Sequence, residues 1–202
     1  MLNNRCYILS SYFENPSVNF FEKIKDENIP IICADGGQTL ADEYNLDITV
    51  TIGDFDSSFS SNMSNIVYPK EKNITDTEGC IIYAKEKGFN DITILGGLGG
   101  RADHSLGNLG LLAKYDVKLL NSFNHIIFIS DQKVKIHRSI YTYLSVIPYG
   151  CNDIFISING VKYPLYNHNL IFNETLGISN EIIDDFATIE IKGSALIIES
   201  KD

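Results

Sequence analysis

Several short stretches of this chain collect carboxylates, glycines and cations in spacings that suit the chemistry of phosphate esters. Thr49–Ser57 reads Thr-Val-Thr-Ile-Gly-Asp-Phe-Asp-Ser. In an extended segment residues i and i+2 point to one side, so Asp54 and Asp56 can reach the same hard cation. Two carboxylates this close repel one another unless a cation or a shared proton relieves them. Gly53 leaves space beside them, and Ser57 and Ser58 add hydroxyls that can cap or bind phosphate. The plainer alternative is an acidic Asx-type turn.

Three further stretches fit the same chemistry. In Ile31–Gly37 an apolar run ends in Asp35, and Gly36 and Gly37 follow without a Cβ, so backbone N–H groups can approach a phosphate; Asp35 could equally serve as a helix N-cap. Tyr68–Glu78 carries Lys70 and Lys72 as phosphate partners, then Thr75 and Glu78 in the S/T-x-x-E capping-box form, with Asp76 in the first turn. Leu95–Asn108 reads Leu-Gly-Gly-Leu-Gly-Gly-Arg-Ala-Asp-His-Ser-Leu-Gly-Asn. It is not a GxxxxGK[ST] loop. Gly100 ends its glycine run, Arg101 can grip phosphate oxygens with a planar fork, and Asp103, His104 and Asn108 crowd the helix start behind it.

The elements that would carry these stretches alternate. Arg5–Leu9, Ile29–Cys33, Ile48–Ile52, Ile66–Tyr68 and Asp91–Leu95 have strand composition. Asn19–Glu27, Gly37–Tyr44, Asp76–Lys87 and His104–Tyr115 have helical spacing. Such alternation predicts a Rossmann-like, mostly parallel α/β domain with its ligands at the carboxyl ends of the strands. After residue 120 the helical spacing fades. Asn124–Ser130, Lys133–His137, Tyr143–Pro148, Asp153–Asn159, Leu170–Asn173, Ile182–Lys192 and Ser194–Glu199 read as strands, with turn signals at Pro148-Tyr-Gly150, Asn159-Gly160 and Lys192-Gly193. Asn159-Gly160 is the strongest hairpin signal. The expected organisation is an α/β domain over 1–122 and an antiparallel β-sandwich over 123–202.

The 202 residues include 16 Lys and Arg against 26 Asp and Glu, a formal net charge of −10. That balance argues against a duplex nucleic-acid partner, yet it permits a nucleotide whose phosphates a divalent metal carries. No apolar run is long enough to cross a bilayer, and the first residues lack the apolar core of a signal peptide. Cys6, Cys33, Cys80 and Cys151 form no CxxC pair, which predicts free thiols in a reducing compartment and, by default, the cytoplasm.

ADGG, GDFDS, EKNITDTE and GGLGGRADHSLGN, in this order, resemble thiamine pyrophosphokinase, and Gly177-Ile-Ser-Asn-Glu181 with the late strands resembles that family's thiamine-binding β domain. The resemblance covers nearly the whole chain. It departs at Asn73, where the family pattern leads us to expect Asp, and at Ile182, where relatives often carry an aromatic residue; the chain has no Trp. The resemblance implies transfer of the β,γ-diphosphate of ATP to the thiamine hydroxyl, giving thiamine diphosphate and AMP. It further implies Mg²⁺ held by Asp35, Asp54, Asp56 and Asp76, and ATP contacts from Asp35, Gly36, Gly37, Lys72, Thr75, Gly100, Arg101, His104 and Asn108. Asp103 would contact thiamine and take its hydroxyl proton, with Ser179 and Asn180 beside thiamine. The catalytic set is then Asp54, Asp56, Asp76, Arg101 and Asp103, in a homodimer whose sites combine the α/β domain of one subunit with the β domain of the other.

Two other readings remain at this point. Asp54-Phe-Asp56 after an apolar run resembles the DxD start of haloacid-dehalogenase-type phosphatases, and a non-catalytic sensor of thiamine or nucleotide could hold a metal structurally. The paired aspartates give a first prediction. Asp54→Asn or Asp56→Asn abolishes most turnover while thermal stability stays near that of the parent; near-native turnover in both variants removes these residues from the site.

Overall fold

A strand covered on both faces needs consecutive apolar residues, and Cys6-Tyr-Ile-Leu9 supplies them in β1 (Arg5–Leu9), where all four are buried. The same logic sets β2 (Ile31–Ala34), β3 (Ile48–Gly53) and β5 (Asp91–Leu95). The structure, a computed structural model, describes residues 4–53, 65–67 and 73–202. Two compact units divide the chain, Met1–Ser122 and Phe123–Asp202.

The first unit also holds β4 (Asn65–Val67) and β6 (Lys118–Leu120), with helices α1 (Val18–Asp26), α2 (Gln38–Glu43), α3 (Asp76–Glu86) and α4 (Ala102–Tyr115). Its strands pair in parallel in the order β4-β3-β2-β1-β5-β6. The chain moves outward in one direction from β1 to β4, then crosses back to β5 on the other side of β1. The reversal opens a crevice at the carboxyl ends of β1 and β5, where open α/β sheets bind ligands. Helix α3 packs on β1, β2 and β3. Helix α1 is capped by Ser17, whose hydroxyl accepts the Phe20 N–H. It buries Phe21 among Phe13, Phe20 and Tyr44 at ring-centroid distances of 5.1, 5.2 and 4.6 Å.

The second unit has antiparallel strands β7 (Asn124–Ser130), β8 (Lys133–His137), β9 (Tyr143–Pro148), β10 (Asp153–Asn159), β11 (Leu165–Ile171), β12 (Phe186–Lys192) and β13 (Ser194–Ser200). One layer is β7-β13-β9 and the other β11-β10-β12-β8. Their inner faces share one core that includes Ile129, Val146, Ala195 and Ile197 from the first layer and Ile156, Leu170, Ile189 and Ile191 from the second. This is the expected sandwich.

Four details differ from the sequence expectation. Strand β6 is too short for a pattern to mark it. Strand β11 begins five residues before the expected Leu170, because Tyr166-Asn-His-Asn169 carries no apolar alternation. Strand β12 begins at Phe186 rather than Ile182. Asn159-Gly160 is not a two-residue turn: β10 and β11 are joined by a wider loop in which buried Val161 forms a bridge with Ile182, and the Gly160 carbonyl accepts the Ile183 N–H.

Gly177 lies where a Cβ would fall on the Val146 carbonyl oxygen, while its own carbonyl accepts the Val146 N–H at 2.8 Å. Gly177→Ala must push this segment off β9, and we expect a loss of about 1–3 kcal/mol, as for other overpacked sites. Thermal denaturation checks it; an unchanged Tm means that the segment does not rest on β9 in solution.

Candidate active site

The crevice between β1 and β5 is a cleft of about 230 Å³. Ser10, Ser11 and Tyr12 line it from the loop after β1, Gly97, Gly99 and Arg101 from the loop after β5, and His104 and Asn108 from α4. A second cleft of about 230 Å³ adjoins it, lined by Thr75, Glu78, Asp103, Gly107 and Leu111 together with the same His104 and Asn108. The structure therefore brings Thr75, Arg101, Asp103, His104 and Asn108 around the start of α4.

The glycine run takes a backbone path closed to other residues. Gly96, Gly97, Gly99 and Gly100 have φ of +84°, +79°, +90° and +60°, the left-handed region in which an L side chain is strained. The path is fixed from outside. Gly97 N–H donates to the Tyr12 carbonyl at 2.7 Å, the Asn108 amide donates to the Gly97 carbonyl at 2.8 Å, and the Ser105 hydroxyl accepts the Gly99 N–H at 3.1 Å. Asn108, predicted to bind ATP, thus also holds the loop that lines the cleft.

Arg101 occupies the N-cap position of α4 but makes no side-chain cap hydrogen bond. Its guanidinium meets the Asp103 carboxylate through two bonds, Nε–Oδ1 at 3.1 Å and Nη2–Oδ2 at 2.5 Å. Asp103 Oδ1 also accepts the His104 N–H at 3.0 Å. The two side chains are 73% and 64% exposed, so the pair contributes little to stability. The fork of Arg101 is nonetheless formed and available for exchange to another bidentate oxyanion. The positive end of the α4 dipole and its N-terminal N–H groups face the same region.

Thr75 caps α3, accepting the Glu78 N–H at 3.2 Å. The Glu78 carboxylate does not turn back to complete a capping box. It crosses to α4 and accepts from Lys114 Nζ at 2.7 Å and from the Tyr115 hydroxyl at 2.8 Å. Burial pushes the Glu78 carboxyl up, but these hydrogen bonds and the Lys114 charge together hold it below its ordinary value. The tie fixes the N-terminal turn of α3, which carries Asp76, against the C-terminal turn of α4.

Asp35 is 6% exposed at the end of β2. It opens a 3₁₀ turn, Asp35–Gly37, and is not the N-cap of α2, a position held by Gly37. Gly53, at the end of the neighbouring β3, has no room for a side chain because a Cβ would overlap that of Asp35. A Cβ on Gly36 would lie 2.6 Å from Ser11 Cβ, so Gly36 allows the loop after β1 to close in. Asp54, Asp56, Lys70 and Lys72 lie outside the described residues.

In the second unit Ser179 and Asn180 form the segment beside β9. The Asn180 and Leu144 backbones exchange hydrogen bonds of 2.8 and 3.0 Å, and Ser179 N–H donates to the Ser145 hydroxyl. The Asn180 amide is buried; it accepts the Tyr163 and Glu181 N–H groups and donates to the Tyr163 carbonyl at 2.7 Å. Its side chain therefore organises backbone, while Ser179 is exposed.

No sequence motif marks Ser10, Ser11 and Tyr12, which nonetheless line the cleft. Ser-Ser-Tyr-Phe-Glu-Asn matches no ligand motif; the one available signal was its place directly after a buried strand at which the sheet order reverses.

The Arg101–Asp103 pair sets a pH prediction. The hydrogen bond from Arg101, then that from the His104 N–H and the Arg101 charge, hold the Asp103 carboxyl down at about 2 against some opposing desolvation. A depressed carboxyl stabilises the fold above its ordinary titration range, and this contribution is lost as pH falls toward 2. Carboxyl NMR should show Asp103 titrating near 2 in the parent and close to the ordinary aspartate value of about 3.9 in Arg101→Met. Titration near the ordinary value in the parent would mean that the pair does not persist in solution.

Comparison with known proteins bears on this site and on the sandwich together. The family model described as thiamin pyrophosphokinase, catalytic domain, matches residues 21–123, and that described as its vitamin B1 binding domain matches 124–196. A thiamine pyrophosphokinase of Bacillus subtilis is 35% identical over 165 residues, 74% of this chain and 77% of that protein. Among solved structures, a Bacillus subtilis thiamine pyrophosphokinase superposes with a TM-score of 0.87 at 29% identity, covering 98% of this chain and 99% of the other. The enzyme of Geobacillus thermodenitrificans gives 0.85 at 26% identity, with 98% of each chain covered. The two domain models in sequence order and the relative at 35% identity identify this chain as a member of the thiamine pyrophosphokinase family.

Proposed function

We propose that this chain transfers the β,γ-diphosphate of ATP to the hydroxyethyl oxygen of thiamine, yielding thiamine diphosphate and AMP. The observation that carries this reading is the cleft at the β1/β5 reversal, with Arg101, the glycine loop and the N-terminus of α4 converging on it. Incubation of the purified protein with thiamine, ATP and Mg²⁺, followed by separation of products, tests it. AMP with thiamine diphosphate supports the reading; inorganic phosphate alone, or no turnover, overturns it.

The chemistry demands position and charge compensation more than covalent participation. The thiamine oxygen forms a bond to the β-phosphorus, the bond from that phosphorus to the AMP oxygen breaks, and the hydroxyl proton must leave. Arg101 exchanges its carboxylate partner for diphosphate oxygens. With Arg101 engaged there, the Asp103 carboxyl rises from its depressed value and can take the hydroxyl proton at its own oxygen. Gly36, Gly37 and Gly100 bring main chain near phosphate, and His104, Thr75, Lys72 and Asn108 complete the ATP side.

The carboxylates fit a divalent cation. Asp35 places a buried carboxylate against Gly53, the residue before Asp54, and carboxylate oxygens suit a hard cation such as Mg²⁺. Asp35, Asp54, Asp56 and Asp76 would hold it. Mg²⁺ bound there would neutralise charge on the transferring group and on the departing AMP.

On the thiamine side we place Ser179 and Asn180, with Tyr163 as the flat ring that Ile182 cannot provide. Tyr163 is 60% exposed and its backbone is held from both sides by Asn180, which suits stacking against a cationic heterocycle. Tyr166, Phe172, Leu176, Ile178 and Ile183 are also exposed in this unit, and a homodimer, as the family resemblance implies, would be the natural place to cover such side chains. The free thiols support a cytoplasmic enzyme.

The role of Arg101 sets the prediction. Arg101→Lys keeps the charge but loses the fork, so kcat/KM for ATP falls on the order of 10²-fold. Wild-type kcat/KM in this variant would put Arg101 outside the diphosphate site.

A further inference from the structure

Four glycines in five positions give a loop much freedom, and glycine loses more conformational entropy on ordering than any other residue. A loop that must present Arg101 needs something to restrain it. The Gly97 end is held by the Tyr12 carbonyl and by Asn108, and Gly99 is held by Ser105. Gly100, exposed and last before Arg101, has a different neighbour. The three heavy atoms nearest to where its Cβ would stand are Cε2, Cζ and Cδ2 of Tyr12, at 3.0, 3.1 and 3.2 Å. On the Gly99 side the nearest is Tyr12 Cε1 at 2.9 Å, followed by Glu14 Oε2 at 3.0 Å.

We propose that Tyr12 is a positioning residue: its ring lies against the Gly99–Gly100 backbone as a brace that fixes the direction in which Arg101 leaves the loop. The inference rests on the diphosphate role of Arg101 given above. The ring is 43% exposed and lines the cleft, so the hydrophobic core does not account for its place. Its contact is with glycine backbone, which only a side chain from outside the loop can cover. Any residue with a Cβ at Gly99 or Gly100 would displace the ring, so the two glycines and the tyrosine form one unit. Glu14 closes the same loop at Gly99, and the Tyr12 carbonyl anchors its other end. The strand that ends at Leu9 thus sets the geometry of a loop attached to β5.

The test uses the full-length enzyme, steady-state kinetics and the products AMP and thiamine diphosphate. Tyr12→Ala lowers kcat on the order of 10- to 100-fold through misplacement of Arg101, with KM for thiamine little changed. Tyr12→Phe, which keeps the ring, restores the rate. In the Arg101→Lys background the Tyr12→Ala change has a much smaller effect, because the fork it would have positioned is gone. If Tyr12→Ala folds poorly by circular dichroism, Tyr12→Leu, which keeps bulk without a plane, is read in the same way. Parental kcat in Tyr12→Ala beside an impaired Arg101→Lys overturns the brace alone. So does full additivity of the two changes, and so does a Tyr12→Phe as impaired as Tyr12→Ala, which would give the role to the hydroxyl. Parental rates in Arg101→Lys overturn the underlying site instead.

Discussion

A single backbone hydrogen bond, from the Gly97 N–H to the Tyr12 carbonyl at 2.7 Å, joins the loops that leave β1 and β5, and the site depends on that junction. The two strands are neighbours in register, Leu9 opposite Leu95, yet their chains diverge because the connections run to opposite sides of the sheet. Divergence leaves backbone donors and acceptors without ladder partners. The loops answer one another instead. Gly96 can sit within reach only because it lacks a Cβ, which would lie 2.5 Å from the Tyr12 carbonyl oxygen. The reversal of strand order opens the crevice, and the junction decides what faces into it.

Charge around the crevice is arranged for exchange rather than for storage. In a chain of net charge −10, an exposed arginine beside a carboxylate is an ordinary surface pair whose worth is about 0–1 kcal/mol. Such a pair keeps the guanidinium oriented at small cost to its release. A diphosphate presents the same two-oxygen geometry with more charge, so it can take the carboxylate's place. The Glu78 tie to Lys114 and Tyr115 is of the other kind. Its carboxylate is only 12% exposed, and removing one partner would leave a largely desolvated charge. The fixed tie holds the start of α3 to the end of α4, and the exposed pair at the start of α4 is left to exchange.

Much of this was legible in the sequence. Strands β1, β5, β7, β8, β9 and β10 begin and end where apolar runs or strict alternation place them, since burial on one or both faces leaves a period that composition reveals. Strand β6 has three residues, and no period can be read from so few. Strand β11 is an edge strand whose central Asn167-His-Asn169 is polar and whose Tyr166 and Ile171 are exposed, so its pairing comes from β10 and not from its own pattern. Motifs likewise marked Arg101, Asp103 and His104, because glycine and charge stand out. The loop after β1 stayed hidden. Its contribution is a carbonyl, a ring against glycines and two serines, and none of these has a spacing rule.

Two asparagines show why a motif residue and a ligand residue need not coincide. Asn108 and Asn180 both belong to stretches that the family resemblance marks, and both are buried with their amides on main chain. Each stands where backbone leaves regular structure, one against the glycine loop and one against the loop at Tyr163. A buried main-chain group there needs a partner that secondary structure does not supply. An asparagine offers donor and acceptor on one short side chain, so it satisfies irregular backbone better than a residue with only one of them. What either can give a substrate is the donor or acceptor left over. The shape of the site therefore comes first from these two amides, and any contact with substrate is made through a geometry that they have already fixed.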